Sequence, residues 1–310
     1  MSNCSYDPQA VAAYFDRLGR QEWDRLTATP VDEVSLHVHA HYLRQYVPPG
    51  ARVLEIGAGA GRFTQLLAEL GARVVVADIS SVQLDLNRHH AEQYGYRHAV
   101  EAWEQVDACR MGCFADQAFD SVVAYGGLFS YVLERRDAAL GECLRVLSRD
   151  GLLLASVMSL WGSAHRALEG VLALPVEINQ RITATGDLTA RTWPARKDNY
   201  MHLFRAEELR TWLAGSGLAV LRLSASNCLS TGHAEMLREI RQDPAHWEEL
   251  LRMEIEACAE PGCLDMGTHI IAVGQKTVSN KGISPRTRGI SIQRDEVSFE
   301  ENTKHFLTQT

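Results

Sequence analysis

Between residues 51 and 159, short apolar runs rich in β-branched residues alternate with segments whose apolar positions recur at helical spacing. The runs are RVLEI (52–56), RVVVAD (73–78), FDSVVAY (119–125) and GLLLASVMS (151–159), with a further strand expected around His98–Val106. The segments RFTQLLAEL (62–70), SVQLDLNRHHAEQYG (81–95) and RRDAALGECLRVLSRDG (135–151) predict helices, the last stopped at Asp150-Gly151. Near-continuous apolar strands separated by amphipathic helices predict an open α/β sheet, mostly parallel and covered on both faces. Ligands of such sheets sit beyond the carboxyl ends of the strands. A site is therefore expected in the loops after Ile56, Asp78, Val106 and Tyr125.

The rhythm breaks over 160–200, which reads as an insertion with one apolar helical piece and a turn-rich stretch around Trp193-Pro194. It resumes with a helix from Ala206 to Leu213, a strand LAVLRLSAS (218–226), two helical segments HAEMLREIRQ and PAHWEELLRMEIEACAE, and a last strand THIIAVG (268–274). Residues 276–310 carry six basic and four acidic side chains with no periodicity, the pattern of a flexible tail.

Of the 310 residues, 46% are hydrophobic and 23% charged, ordinary for a soluble globular protein; a formal charge of −8 gives no general attraction to nucleic acid or anionic lipid. The seven cysteines are scattered without a C-x-x-C pair, so neither a metal nor a disulfide framework is expected, and a reducing, cytoplasmic setting fits. No signal peptide or membrane-spanning stretch is read. A monomer or a homodimer is expected.

VLEIGAGAGRF (53–63) places glycine at 57, 59 and 61 where a strand turns into a helix, which lets a ligand approach the backbone. The dinucleotide fingerprint G-x-G-x-x-G requires glycine at 62, where this chain has arginine. Asp78, 21 residues after Gly57, ends the second strand where a carboxylate can accept both hydroxyls of a ribose. Glu55, just before the loop, would repel a pyrophosphate and suit a cation. A phosphate-free, adenosine-bearing cation fits that description better than a dinucleotide.

These residues resemble the class I S-adenosylmethionine (SAM) dependent methyltransferases. VLEIGAGAGRF is similar to their first motif and VVVADIS to their second. DSVVAYGGLFSYV (120–132) and LRVLSRDGLLLASVMS (144–159) resemble their fourth strand with its loop, and the helix and fifth strand that follow. YFDRLGRQEWDRL, HLFRAEELRTWLAGSGL and GTHIIAVGQK further resemble a bacterial branch acting on small molecules. The resemblance implies a Rossmann-like seven-stranded sheet with a helical cap: a lid over 1–50, a SAM-binding domain over 51–275 with cap insertions at 160–200 and 227–262, and the tail. It implies direct in-line methyl transfer to a small-molecule acceptor, leaving S-adenosylhomocysteine. The cofactor would be held by Glu55, Gly57, Ala58, Gly59 and Gly61, by Asp78 at the ribose, by Ile79 and Gln83 at the adenine, and by Asp107 and Ala108 at the adenine edge. Tyr125 and Gly126 would face the methyl group.

In-line displacement needs positioning first, and a general base only where the acceptor loses a proton. Candidates for base or substrate contact are the histidines of VSLHVHAHYL, where His37 and His41 share a helix face and are preferred over His39, together with His202, Tyr14 and Tyr131. Tyr131, Trp161, Trp193 and Tyr200 suggest an aromatic-lined acceptor pocket, and Arg191, Arg196 and Lys197 could meet an anionic group. Two other functions are open: methylation of nucleic acid or protein, and a catalytically silent SAM-binding partner subunit. Against a nucleic-acid acceptor stand the acidic charge and YGGL after the fourth strand, where amino-methylating nucleic-acid enzymes carry Asn/Asp-Pro-Pro-aromatic.

Overall fold

The structure, a computed structural model, describes residues 5–277. The chain opens with helices α1 (Pro8–Leu18), α2 (Gln21–Arg25) and α3 (Pro30–Tyr46). Then follow β1 (Arg52–Ile56), α4 (Arg62–Glu69), β2 (Arg73–Asp78), α5 (Ser81–Gln93), β3 (Val100–Gln105), β4 (Phe119–Ala124), α6 (Leu128–Tyr131), α7 (Arg136–Val146) and β5 (Leu147–Met158). The insertion holds α8 (Leu160–Arg166), α9 (Leu168–Leu172), α10 (Val176–Thr185) and a small ribbon of β6 (Asp187–Leu188) with β7 (Met201–His202). The last part holds α11 (Ala206–Gly215), β8 (Leu218–Ala225), α12 (Ala234–Ile240), α13 (Pro244–Ala259) and β9 (His269–Lys276).

Seven strands form one sheet in the order β3-β2-β1-β4-β5-β9-β8, parallel except for β9, which runs antiparallel to both neighbours. Strand residues alternate between two cores, as the two-residue side-chain period requires. Leu54, Ile56, Val122, Leu153 and Ala155 pack with α7 and α11, whereas Val53, Val74, Val76, Val123, Leu154 and Ile271 pack with α3, α4, α5 and α13. A small third core of Leu160, Ile182, Met201 and Leu203 holds the insertion together.

The expected strands and helices of 51–159 stand where their periodicity placed them, with one correction. Asp150-Gly151 does not stop a helix. α7 ends at Val146, β5 starts at Leu147, and the pair sits in a register irregularity of β4 with β5. Asp150 has φ +62, a left-handed backbone that sequence reads as a helix end. The expected lid over 1–50 also divides. α3 packs against α4, α12 and α13 as part of the body, while α1 contains no fully buried residue and α2 only Trp23. Lys276 belongs to β9, its Nζ donating to Leu147 O at 2.7 Å, and the remainder of the expected tail lies outside the described residues. Among the described residues no helix is long and apolar enough to cross a membrane.

Candidate active site

From Ile56 the chain turns through the glycines into α4. The N–H groups of Gly57 and Ala58 donate to Ala77 O at 2.8 and 3.1 Å, tying the turn to the end of β2. Gly59, at φ +55, donates to Asp78 Oδ2 at 2.8 Å; the nearest atoms to a Cβ placed there are Glu22 Cγ at 3.6 Å and Gln83 Oε1 at 4.0 Å. Gly61 differs. At φ +101, a Cβ would meet Tyr96 Oη at 2.6 Å and Asn87 Nδ2 at 2.9 Å, so packing against α5 requires this glycine whether or not a ligand binds.

Asp78 is buried, and its second oxygen accepts from Ser80 N at 2.8 Å. Burial raises its carboxyl to about 6, against the backbone N–H bonds that lower it. Each oxygen keeps a lone pair for a further donor. Glu55 takes the opposite course. It shares the face of β1 with Val53, so it points beneath α4, where it is 2% exposed and accepts from Thr64 Oγ1 at 2.6 Å. Burial pushes it up to about 8, opposed by the Thr64 bond and assisted by the Asp78 charge. Among the described residues it lines neither the cleft nor the pockets beside it, so its charge is not presented to a ligand there.

Besides Asp78, the carboxylate that reaches the cleft is Glu22, from α2. Its helix is pinned by the residue that breaks the dinucleotide fingerprint: the Arg62 guanidinium lies 3.7 Å from the Trp23 ring centroid and donates to Trp23 O at 2.9 Å. Gly57, Gly59, Asp78, Ile79, Ala108, Tyr125 and Gly126 line the cleft, as do Val11 and Phe15 from α1. Ala58 lies in a side pocket with Glu22 and Arg62. Gln83 is fully buried and its Nε2 donates to Phe15 O and Gly19 O at 2.9 and 3.0 Å, fastening α1 over the cleft. Asp107 Oδ1 accepts from Tyr6 Oη and Cys109 N, both at 2.8 Å, at the far end. The cleft measures only about 80 Å³ with α1 in this position.

Phe15, Glu22, Gly126 and Tyr131 also line a second cavity of about 620 Å³, whose wall includes Arg25, Asp32, Ser35, His39, Phe63 and His269. Tyr131 stands at the junction, and burial raises its phenol above the ordinary tyrosine value, so it remains a donor. Burial does the same for Tyr14, which lines the second cavity beside Phe15.

The preferred histidine pair is not the one the fold turns inward. His37 and His41 do share a face, yet they line neither cavity. His39, on the adjacent face, lines the second. His202 is held apart from both: Nδ1 meets Asp187 Oδ1 and Nε2 meets Glu208 Oε1, each at 2.7 Å, in a separate pocket that also takes Arg191. Burial lowers its pKa, but the two carboxylates outweigh that and raise it. With both nitrogens occupied it is a structural clasp between β7 and α11. Trp161 is 47% exposed and Trp193 stacks under Arg196, so neither lines the second cavity, and Tyr200 lines a smaller recess beside Tyr14. Sequence reasoning missed Glu22 and Arg25, and their i, i+3 spacing on a short helix was the available signal.

The methyltransferase domain family matches residues 54–155, spanning β1 to β5. A demethylmenaquinone methyltransferase of Thermobifida fusca is 31% identical over 234 residues, 69% of this chain and 84% of that protein. The chain belongs to the class I SAM-dependent methyltransferases. A ubiquinone biosynthesis O-methyltransferase of Xanthomonas axonopodis is 27% identical over 55% of this chain and 64% of its own length. The crystal structure of the [4+2]-cyclase SpnF superposes with a TM-score of 0.57 at 19% identity, covering 89% of this chain and 98% of that one, a likeness of fold.

The methyltransferase's cofactor is SAM, and the residues of the cleft suit it. SAM supplies a methyl group on a cationic sulfur, which an acceptor displaces in line. The cleft offers a glycine at φ +55, a carboxylate with spare lone pairs in Asp78 and a second in Glu22, and behind Gly59 the buried Gln83 Oε1 has no partner among the described residues. Among the described residues no lysine or arginine lines the cleft. Among the described residues no group of three or more His, Cys, Asp or Glu is placed to hold a metal ion.

Proposed function

We propose that this methyltransferase acts on a ring-bearing small molecule held in the 620 Å³ cavity. SAM lies in the adjoining cleft with its ribose on Asp78, its adenine between Ile79 and Ala108, its methionine end along Gly57, Gly59 and Glu22, and its methyl group toward Gly126 and Tyr131. The observation that carries this reading is that the two cavities share Phe15, Glu22, Gly126 and Tyr131. An acceptor in one therefore meets a methyl group in the other. The volume falls within the roughly 300–1,000 Å³ of small-molecule pockets, and Tyr14, Phe15, Phe63 and Met158 supply apolar walls for a ring. α1, α2 and α3 enclose the cavity, which suits a small acceptor better than a polymer. The names of the relatives, concerned with menaquinone and ubiquinone, supply the first acceptors to try.

Ser35 lines the acceptor cavity and not the cofactor cleft. Replacing it with phenylalanine should occupy acceptor space. S-adenosylhomocysteine affinity by calorimetry should stay within about twofold, while methyl transfer to a panel of quinols and catechols falls by on the order of 10²-fold, a loss of acceptor positioning. Unchanged transfer by Ser35→Phe would place the acceptor elsewhere.

A further inference from the structure

We propose that His39 takes the proton from the acceptor and that Arg25 holds the oxygen it leaves, so that the acceptor carries an acidic hydroxyl of the phenol or enol class. This rests on the ring-bearing acceptor of the preceding reading. His39 is 2% exposed, and its Nδ1 lies 2.8 Å from Ser35 O. A carbonyl only accepts, so Nδ1 carries the hydrogen and Nε2 presents a lone pair. Among the described residues Nε2 has no hydrogen-bond partner. The ring is fixed by edge contacts to Tyr125 at 4.9 Å between centroids and to His269 at 5.9 Å, with Phe63 at 5.5 Å.

Arg25 lines the same cavity from α2. Glu22 accepts from its Nε and one Nη2 hydrogen at 3.0 and 2.6 Å, which leaves both hydrogens of Nη1 and one of Nη2 without a partner among the described residues. The Arg25 side chain is 42% exposed, and a guanidinium with spare donors on the cavity wall stabilises an oxyanion by charge-assisted hydrogen bonds. The other charged groups of the wall, Asp32 and Arg166, neutralise each other at 3.1 Å, and His269 is held neutral by burial and by the nearby His39 and Arg25. Burial likewise lowers His39 to about 4, against the bond to Ser35, so it stands in its proton-accepting form at neutral pH. In the transfer, the acceptor O–H bond breaks with its proton going to Nε2. The oxygen forms a bond to the methyl carbon as the C–S bond breaks, and sulfur keeps that electron pair. Imidazolium beside Arg25 then loses its proton readily to solvent.

The probe is 4-nitrocatechol, whose absorbance reports ionisation, added to the S-adenosylhomocysteine complex below its ordinary ionisation range and, with SAM, assayed for turnover against unsubstituted catechol. The wild type should bind it as the anion and methylate both. His39→Asn, whose amide can still donate to Ser35 O, should lose roughly 10²–10⁴-fold in kcat with catechol at little change in KM, and far less with the more acidic nitrocatechol. Arg25→Met should bind the probe neutral. Equal losses with both catechols, or the anion band retained in Arg25→Met, would overturn the assignment. If the wild type binds neither catechol while binding S-adenosylhomocysteine, the ring-acceptor reading fails, and the assignment with it.

Discussion

Asp78→Ala should weaken SAM and S-adenosylhomocysteine binding by at least about 10²-fold, the equivalent of two hydrogen bonds to a charged group at roughly 1.5–3 kcal/mol each. The effect is large because the carboxylate serves both partners at once. It anchors the turn through Gly59 N and Ser80 N, and its remaining lone pairs face the cleft. The same residue gives the binding a pH dependence of known sign. In the free protein burial holds its pKa near 6, whereas ribose hydroxyls and a cationic ligand favour the ionised form and lower it. Binding therefore releases a proton, and affinity rises with pH. With the free pKa at about 6, binding should be about tenfold weaker at pH 5 than at pH 7. Without ligand the linkage reverses. A raised folded pKa makes this carboxyl favour folding below the ordinary aspartate range and lose that contribution as pH climbs through 6. Calorimetry in buffers of different ionisation enthalpy would show both effects. An affinity indifferent to Asp78→Ala and flat between pH 5 and 7 would move the ribose away from this residue.

Glu254→Ala should cost about 3–5 kcal/mol of folding stability by leaving buried backbone donors unpaired, against a typical total of about 5–15 kcal/mol. Glu254 sits on α13 with no solvent exposure and accepts from the N–H groups of Cys228, Leu229 and Ser230 at 2.8, 3.3 and 2.6 Å. The loop it gathers bears on the active site. Asn227 Oδ1 accepts from Thr268 N, and Ser226 Oγ accepts from His269 N at 3.1 Å, which sets two residues of the acceptor cavity wall. Urea unfolding should show a lower midpoint at unchanged slope, with Glu254→Gln intermediate because one oxygen still accepts. Unfolding of Glu254→Ala at the wild-type midpoint would mean that the loop is held by other contacts.

The legible and illegible parts of this protein separate by the range of the interactions involved. β1, β2 and β4 were readable because a strand buried on both faces is mostly apolar, and the helices between them pointed to a mostly parallel sheet; the order of the strands came from the structure. The Asp150 bend was not, since a left-handed residue inside a strand and one at a helix end look alike in sequence. Gly59 and Asp78 could be named because they are neighbours of a strand end. Helical periodicity correctly put His37 and His41 on one face, yet periodicity carries no information about which face a helix turns to a cavity. That depended on α3 packing against α12 and α13 from some two hundred residues away. Glu55 misled for a related reason: alternation along β1 sends it under α4, and the loop's acidic partner comes from α2. Arg62, a departure from one fingerprint, proved to be the anchor for that helix.

α1 has no fully buried residue and roofs a cleft of about 80 Å³, too narrow for an adenosyl group, so entry requires it to lift. The most direct measurement is therefore a crystal structure with S-adenosylhomocysteine bound. The account predicts α1 displaced outward, both ribose hydroxyls on Asp78, and the sulfur at the gap between Gly126 and Tyr131, opening onto His39 and Arg25. A sulfur directed away from that cavity, or a ribose that leaves Asp78 untouched, would contradict it.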